Sequence, residues 1–287
     1  MRQIARPRGW GMRTEIAVLH ALSYLILITI GISMLIPFLW MISTSLKNLA
    51  ETQIYPPRWI PRPPLWSNYR EVMIQVPFAK FIYNSFKVSI LGVVGQVLTC
   101  STAAYALARL RFWGRDFLFT LLLATLMIPY QVVMIPQFLI FKALGWVNTH
   151  LALIVPFWLG GAFGTFLLRQ FFLSLPNELG DAAKVDGCNP FQTYWDIYMP
   201  LTKPALATLA VLTFMSRWND LLGPLIYLNR PEMMTVTAGL SYFQGQYLAD
   251  VPLLMAGSVI SIIPTLVLFA LAQRYFVQGV VLSGLKG

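Results

Sequence analysis

Charged residues are missing from long stretches of this chain, and that absence limits its fold more than any motif does. No Asp, Glu, Lys or Arg occurs in the 31 residues between Glu15 and Lys47, or the 21 between Lys87 and Arg109. The same holds for the 25 between Asp116 and Lys142, the 26 between Lys142 and Arg169, and the 23 between Asp250 and Arg274. A helix rises about 1.5 Å per residue, so roughly 20 apolar residues cross a hydrocarbon layer about 30 Å thick. Each run is long enough. A sixth apolar run, 204–228, is interrupted by Arg217-Trp218-Asn219-Asp220. Helices satisfy their own backbone groups where water is absent. The expected fold class is therefore all-α, a polytopic membrane protein with six transmembrane helices. A charged fraction of 11% beside 57% apolar residues excludes an ordinary water-soluble domain, where about 25% charge is usual.

The expected organisation is an N-terminal cytoplasmic segment at 1–15, a first span at 16–46 and an external Pro-rich loop at 47–83. A core transmembrane domain at 84–274 and a cytoplasmic tail at 275–287 follow. Within the core, spans fall at about 84–108, 117–139, 151–173, 204–228 and 253–273, with a polar loop at 174–203. The first apolar run, 17–43, far exceeds the 7–15 residues of a signal peptide and lacks a small-x-small cleavage site, so it is expected to stay as a span.

The net charge of +10 concerns topology. With the N-terminus inside, 12 of the Lys and Arg residues lie in cytoplasmic segments and eight outside, densest at Arg2–Arg13 and Arg109–Arg115. That bias orients both termini to the cytoplasm and favours an anionic inner leaflet. No basic stripe tracks a phosphate backbone, so nucleic acid is not an expected partner. Cys100 and Cys188 are too far apart in sequence and context to imply a disulfide framework or metal site. The two histidines, His20 and His150, are isolated; His150, just before a span, reads as an interfacial residue. No phosphate-binding Gly-x-x-x-x-Gly-Lys-Ser/Thr and no His-Glu-x-x-His occurs. No catalytic residue, metal ligand or bound cofactor is expected on this polypeptide.

Two loops carry more than connectivity. The first has Pro56, Pro57, Pro61, Pro63 and Pro64 interleaved with Tyr55, Trp59 and Trp66, which predicts extended chain. It suits either a lipid headgroup layer or an external docking partner. The second, 174–203, predicts two short helices at an angle. Ser174 or Asn177 can cap the first, with Pro176 near its start and Glu178 and Asp181 in its first turns. Gly180, Ala182 and Ala183 strip one surface of bulk, and Gly187 can end the helix in the left-handed region. Asn189-Pro190-Phe191-Gln192 is a capping box opening the second helix, and Pro200 is expected to end it. Phe191, Tyr194, Trp195 and Tyr198 recur at helical spacing as an aromatic stripe. By pattern alone the stripe covers this protein's own spans or fits a partner's groove.

Within the membrane, Arg217 lies 13 residues after Pro204, about 20 Å along a helix. Charges at that depth face a bundle interior or a watery cavity. Arg217 and Asp220, at i and i+3, can pair. Trp218 and Asn219 offer a flat face and an amide suited to a sugar ring; the same cluster equally suits helix packing or a gate. Pro37, Pro129, Pro136, Pro156, Pro224 and Pro264 allow bends within spans.

Asp181-Ala182-Ala183, Asp186-Gly187, Ile197, Met199-Pro200 and Pro204 resemble the "EAA" loop of ABC transporter permeases, whose spacing is matched throughout. Thr44–Lys47, Asn68-Tyr69, Asn84-Ser85, Ala103–Arg109, Met127–Pro129, Ile135-Pro136, Trp218–Asp220 and the run from Gln273 to Gly287 are similar to the maltose-type carbohydrate-uptake branch. Asp181, Cys188 and Met199 stand where that family usually has Glu, Ala and Leu. The resemblance implies a type I ABC importer permease fold. It also implies a sugar path through a pair of related permeases, a heterodimer, with a glycerol-phosphate importer as an alternative. An external solute-binding protein would deliver the solute. Two cytoplasmic ATPase subunits, carrying ATP and Mg, would grip the 174–203 loop as a coupling helix through Glu178, Asp181, Ala182, Ala183, Asp186, Gly187, Phe191, Trp195 and Pro200. In such permeases the tail, here Ser283–Gly287, can also reach the ATPase pair. An ion-driven secondary transporter is a less fitting alternative, since the two halves show no internal repeat.

Overall fold

The uncharged runs fold as helices. A computed structural model describes residues 10–244 and 249–284, with side chains over 15–244 and 249–273. Arg2, Arg6 and Arg8 and the last residues of the tail, 285–287, lie outside the described residues. Among the described residues the only pairing of extended chain is one bridge between Gln244 and Ala249.

The long helix α1 (Trp10–Ser45) leads into α2 (Leu49–Thr52), α3 (Ser67–Gln75) and α4 (Phe78–Arg109). Next come α5 (Arg115–Ala124), α6 (Tyr130–Ala143), α7 (Leu151–Trp158) and α8 (Ala162–Ser174). The segment after α8 holds α9 (Glu178–Val185), α10 (Pro190–Gln192), a π-helical turn at Thr193–Tyr198 and α11 (Met199–Leu201). The chain finishes with α12 (Lys203–Trp218), α13 (Leu222–Tyr227), α14 (Val236–Gly239) and α15 (Val251–Gly284). Glu15–Ser45, Phe78–Arg109, Leu151–Ser174 and Val251–Gln273 are each long and apolar enough to cross a bilayer. Two bent pairs raise the number to six if each is one span: Arg115–Met127 with Tyr130–Ala143, and Pro190–Leu201 with Lys203–Trp218.

Two runs read as straight spans are broken. The 117–139 run turns by 101° at Ile128-Pro129, where Ile128 is extended (φ −87°, ψ 115°). A residue before proline is pushed out of the helical region by the pyrrolidine ring, and α6 starts directly after Pro129. The 204–228 run stops at Trp218 and resumes at Leu222.

The buried face of α4 explains how the bundle closes. Asn84, Ser85, Ser89, Gly92, Gln96, Cys100, Ala104 and Ala108 recur at helical spacing and are buried. Lipid tails are as apolar as leucine, so helices in a membrane associate through small residues that allow close approach. At Gly95 a Cβ would lie 2.3 Å from the Trp158 ring, so α7 and α4 meet only because no side chain is there. One half of α4 enters a core with Phe78, Phe81, Trp218, Tyr227 and Val236. The other half enters a second core with Tyr105, Leu168, Phe172, Tyr194 and Tyr198. By contrast residues 16–39 of α1 are exposed all round, and α1 touches mainly α15.

The Pro-rich loop has no helix at 53–66 and is fastened at both ends. Asn68 Nδ2 donates to the Ser45 and Lys47 carbonyls, both at 2.8 Å, and Ser45 Oγ meets Tyr69 OH at 2.8 Å. Lys47 is buried with its ammonium 4.0 Å over the Trp40 ring. That burial lowers its pKa, opposed by the Glu51 carboxylate. Trp59 packs edge-on against Trp40, while Tyr55 and Trp66 stay exposed. His150, read from sequence as interfacial, is packed inside the protein at the start of α7. It is 6% exposed, and Nε2 lies 2.8 Å from the Met233 carbonyl. A carbonyl only accepts, so Nε2 carries the hydrogen and buried Nδ1 is left without a partner.

Candidate functional site

The segment 174–203 forms a rigid elbow. Gly187 has φ +80°; its N–H bonds the Lys184 carbonyl and the Cys188 N–H bonds the Ala183 carbonyl. These are the two bonds of a Schellman ending. Two residues later the Asn189 and Gln192 side chains cap each other's amides, both at 2.9 Å. One helix is thus stopped and the next started within four residues, which fixes the angle between them.

Three local expectations are corrected. Neither Ser174 nor Asn177 caps α9: Ser174 Oγ bonds the Phe171 carbonyl, and Asn177 Oδ1 accepts from Arg109 instead. Pro200 does not end the second helix, which runs through Leu201 and bends by 79° before Lys203. The aromatic stripe is not one face. Tyr194 and Tyr198 are buried, whereas Phe191 and Trp195 are 67% and 51% exposed and stack at 6.4 Å. The stripe therefore covers the protein's own helices with Tyr194 and Tyr198, and leaves Phe191 and Trp195 uncovered.

Small residues divide in the same way. Ala183 is buried, and a Cβ on Gly180 would sit 3.0 Å from the Tyr198 hydroxyl, so these two admit the elbow's own second helix. Glu178, Asp181, Ala182, Asp186 and Pro200 are exposed. Asp181 pairs with Lys184 at 3.0 Å in open solvent, a pair of little energetic weight. Beneath the elbow lies a cleft of about 660 Å³, and Arg109, Arg111, Arg115, Asp181 and Lys184 contribute to its wall.

The polar interruption is the second site. Arg217 Nη1 lies 3.0 Å from Asp220 Oδ2, and Asp220 Oδ1 accepts from the Gly223 amide at 3.1 Å. The guanidinium also sits 4.2 Å from the Phe157 ring. Both charges border a cavity of 460 Å³ together with Asn219, Tyr130, Gln137 and Tyr227. Tyr227 OH donates to Gln137 Oε1 at 3.0 Å and meets Tyr130 OH at 3.3 Å. Asn219 is exposed, its amide donating to the Met215 carbonyl. Trp218 does not offer its face to this cavity. It is 2% exposed, stacks on Phe214, and donates through Nε1 to the Ser261 carbonyl of α15. Successive helical residues point about 100° apart, so a turn that aims Arg217 at the cavity aims Trp218 at α15.

Sequence reasoning missed Tyr130, Gln137 and Tyr227. A usable signal existed: Tyr130 and Gln137 are polar residues one heptad apart inside an uncharged run, each directly after a proline.

Residues 98–281 match the family described as "Binding-protein-dependent transport system inner membrane component". The chain is 34% identical over 254 residues to the sulfoquinovosyl glycerol transport system permease protein SmoH of Agrobacterium fabrum, covering 88% of this chain and 89% of that one. It is 41% identical over 204 residues to the arabinooligosaccharides transport system permease protein AraQ of Halalkalibacterium halodurans, covering 71% and 73%. Its fold matches a chain in the crystal structure of a bacterial ABC transporter that imports the acidic polysaccharide alginate, with a TM-score of 0.80, 24% identity and coverage of 96% and 100%. Membrane-length helices, a stiff elbow and these relationships together make the chain a member of the binding-protein-dependent transport system inner membrane component family: a multi-pass inner-membrane permease subunit of an ABC importer, not an enzyme.

Proposed function

We propose that this chain carries a di- or oligosaccharide into the cell as one half of a permease heterodimer, driven by two cytoplasmic ATPase subunits seated on the elbow. The observation that carries the coupling part is the stacked, exposed Phe191–Trp195 pair on a scaffold whose opposite face is buried against the spans. An exposed aromatic patch in water calls for a partner, and a short helix with two aromatic anchors suits a groove. Glu178, Asp181, Ala182, Asp186, Gly187 and Pro200, all exposed on the same segment, are the further proposed contacts. ATP and Mg belong to the ATPases; an external solute-binding protein delivers the sugar. In this topology both termini and the elbow are cytoplasmic, and the 47–83 loop is external.

The 460 Å³ cavity is the proposed share of the solute path. Its hydroxyls, amides and Phe157 ring suit sugar hydroxyls and ring faces. Arg217 is neutralised by Asp220, which favours a neutral sugar over glycerol phosphate. The same pairing removes the one acid well inside a span from service as a proton or ion carrier.

Proteoliposomes holding the full complex test this reading. Uptake should require ATP, persist when the proton gradient is collapsed, and respond to a sugar-loaded binding protein. Phe191→Ala/Trp195→Ala should remove most solute-stimulated hydrolysis. Stimulation by glycerol phosphate and not by sugars would move the substrate to the alternative. Uptake lost with the proton gradient alone would reject the ATP-driven mechanism.

A further inference from the structure

Arg109 ends α4, and its side chain leaves the helix to lie beneath the elbow. Its two terminal nitrogens donate to three acceptors: the Phe172 and Leu175 carbonyls at the end of α8, and Asn177 Oδ1 at the start of α9. Its guanidinium carbon also lies 5.0 Å from the Tyr198 ring, in the second half of the elbow. One group therefore touches the end of α8, the start of the first elbow helix and the inner face of the second. Arginine suits this role because its planar fork presents several fixed donors, where lysine offers a point charge. A cation there also meets the partial negative charge of the α8 terminus.

We infer that Arg109 is a positioning residue that clamps the elbow to α4, so that a load on Phe191 and Trp195 moves α4 directly rather than passing only through the bend into α12. This rests on the coupling role proposed above. A second fastening supports it: Tyr194 OH meets Ser101 Oγ of α4 at 2.7 Å, with Tyr105 of α4 packed against both elbow tyrosines. The other route is a 79° bend, held by the Thr202 hydroxyl and amide on the Tyr198 carbonyl and by the Thr202 amide on the Met199 carbonyl. Midway along its length α4 reaches the polar cluster: a Cβ on Gly92 would lie 3.6 Å from the Arg217 side chain. Asn84 and Ser85 further along α4 hold the 232–236 backbone. The clamp thus joins the elbow to a single unbroken helix that borders the polar cluster.

The test uses the complete transporter with its binding protein. It reads the ratio of solute-stimulated to basal hydrolysis, normalised to assembled complex. Arg109→Gln, which loses the charge and most of the fork, should lower that ratio about tenfold, and Arg109→Lys should recover part of it. In a double-mutant cycle with Trp195→Ala the two effects should overlap rather than multiply, because both interrupt one route. A wild-type ratio in Arg109→Gln, or independent effects in the cycle, overturns the clamp. If Arg109→Gln fails to assemble, Asn177→Ala decides: it removes one exposed acceptor, and a ratio about threefold lower supports the clamp, whereas a wild-type ratio overturns it. Full stimulation in Trp195→Ala by itself would instead refute the coupling role on which the clamp depends.

Discussion

The elbow at 174–203 and the interruption at 217–220 both place aromatic and charged residues at a helix break, yet they resolve in opposite ways. In the elbow, half of the aromatic residues turn inward as anchors and half remain outward, stacked and exposed. At the interruption the tryptophan turns inward, and the charges close on each other across 3.0 Å. The difference follows from the surrounding medium. Water tolerates an exposed aromatic pair until a partner covers it, whereas a charge at membrane depth must be paired at once. A region that presents free groups is suited to being gripped, and a region that satisfies its own groups is suited to being held shut.

The sharpest way to break this contrast is to open the ion pair. Asp220→Ala leaves Arg217 uncompensated and should cost about 3–5 kcal/mol, read as a lower melting midpoint of the purified complex. The double change Arg217→Met/Asp220→Leu should recover most of that loss. A neutral Asp220→Ala would mean the pair is not closed in the way described. Next in size is Gly187→Val. Left-handed backbone costs an L-residue about 1–2 kcal/mol, and more when β-branched, although no neighbouring atom lies within 4 Å to obstruct the side chain. The complex should remain in the membrane with solute stimulation reduced at least about tenfold, whereas Gly187→Asn should keep most of it. Unchanged stimulation in the valine variant would count against a rigid elbow.

Tyr194→Phe sharpens the inner half of the comparison. It deletes the bond to Ser101 while keeping the ring, and should cost about 1 kcal/mol, visible as a modest fall in melting midpoint. The smallest effect concerns His150, at the start of α7. Burial lowers its pKa below 6.5, countered by the Met233 carbonyl and reinforced by Lys87. The native chain therefore binds this proton less readily than the unfolded chain. The contribution of neutral His150 is complete above pH 6.5 and is lost as the pH falls below it, until the native imidazole also protonates. Melting midpoints at about pH 7.5 and 5.5 should differ less in His150→Gln than in the parent; an identical difference would exclude His150 as a source of acid sensitivity.

Much of the architecture was legible because charge is so costly in hydrocarbon. The charge-free runs around α1, α4, α7–α8 and α15 mark helices of membrane length. The left-handed Gly187 and the Asn189–Gln192 capping box were legible for another reason: both are local, set by residues within five positions of each other. The turn at Pro129 was visible as a proline, but not as a 101° change of direction. The split of the aromatic stripe was hidden, because a π-helical turn at 193–198 departs from the ordinary helical spacing used to read it. The role of Asn177 was also hidden, since its partner Arg109 is 68 residues away.

By itself, then, the sequence determined that the chain is helical and membrane-spanning, that Gly187 stops one short helix and that Asn189–Gln192 start the next. Each of these depends on free energies that neighbouring residues or the solvent impose on their own. Only the tertiary structure decided which side of a helix each group faces: Trp218 toward α15, Arg217 toward the cavity, Tyr198 under Arg109 and Trp195 into the open. Those directions come from packing between segments distant in the chain, where a turn of about 100° per residue converts a small shift of register into a different neighbour.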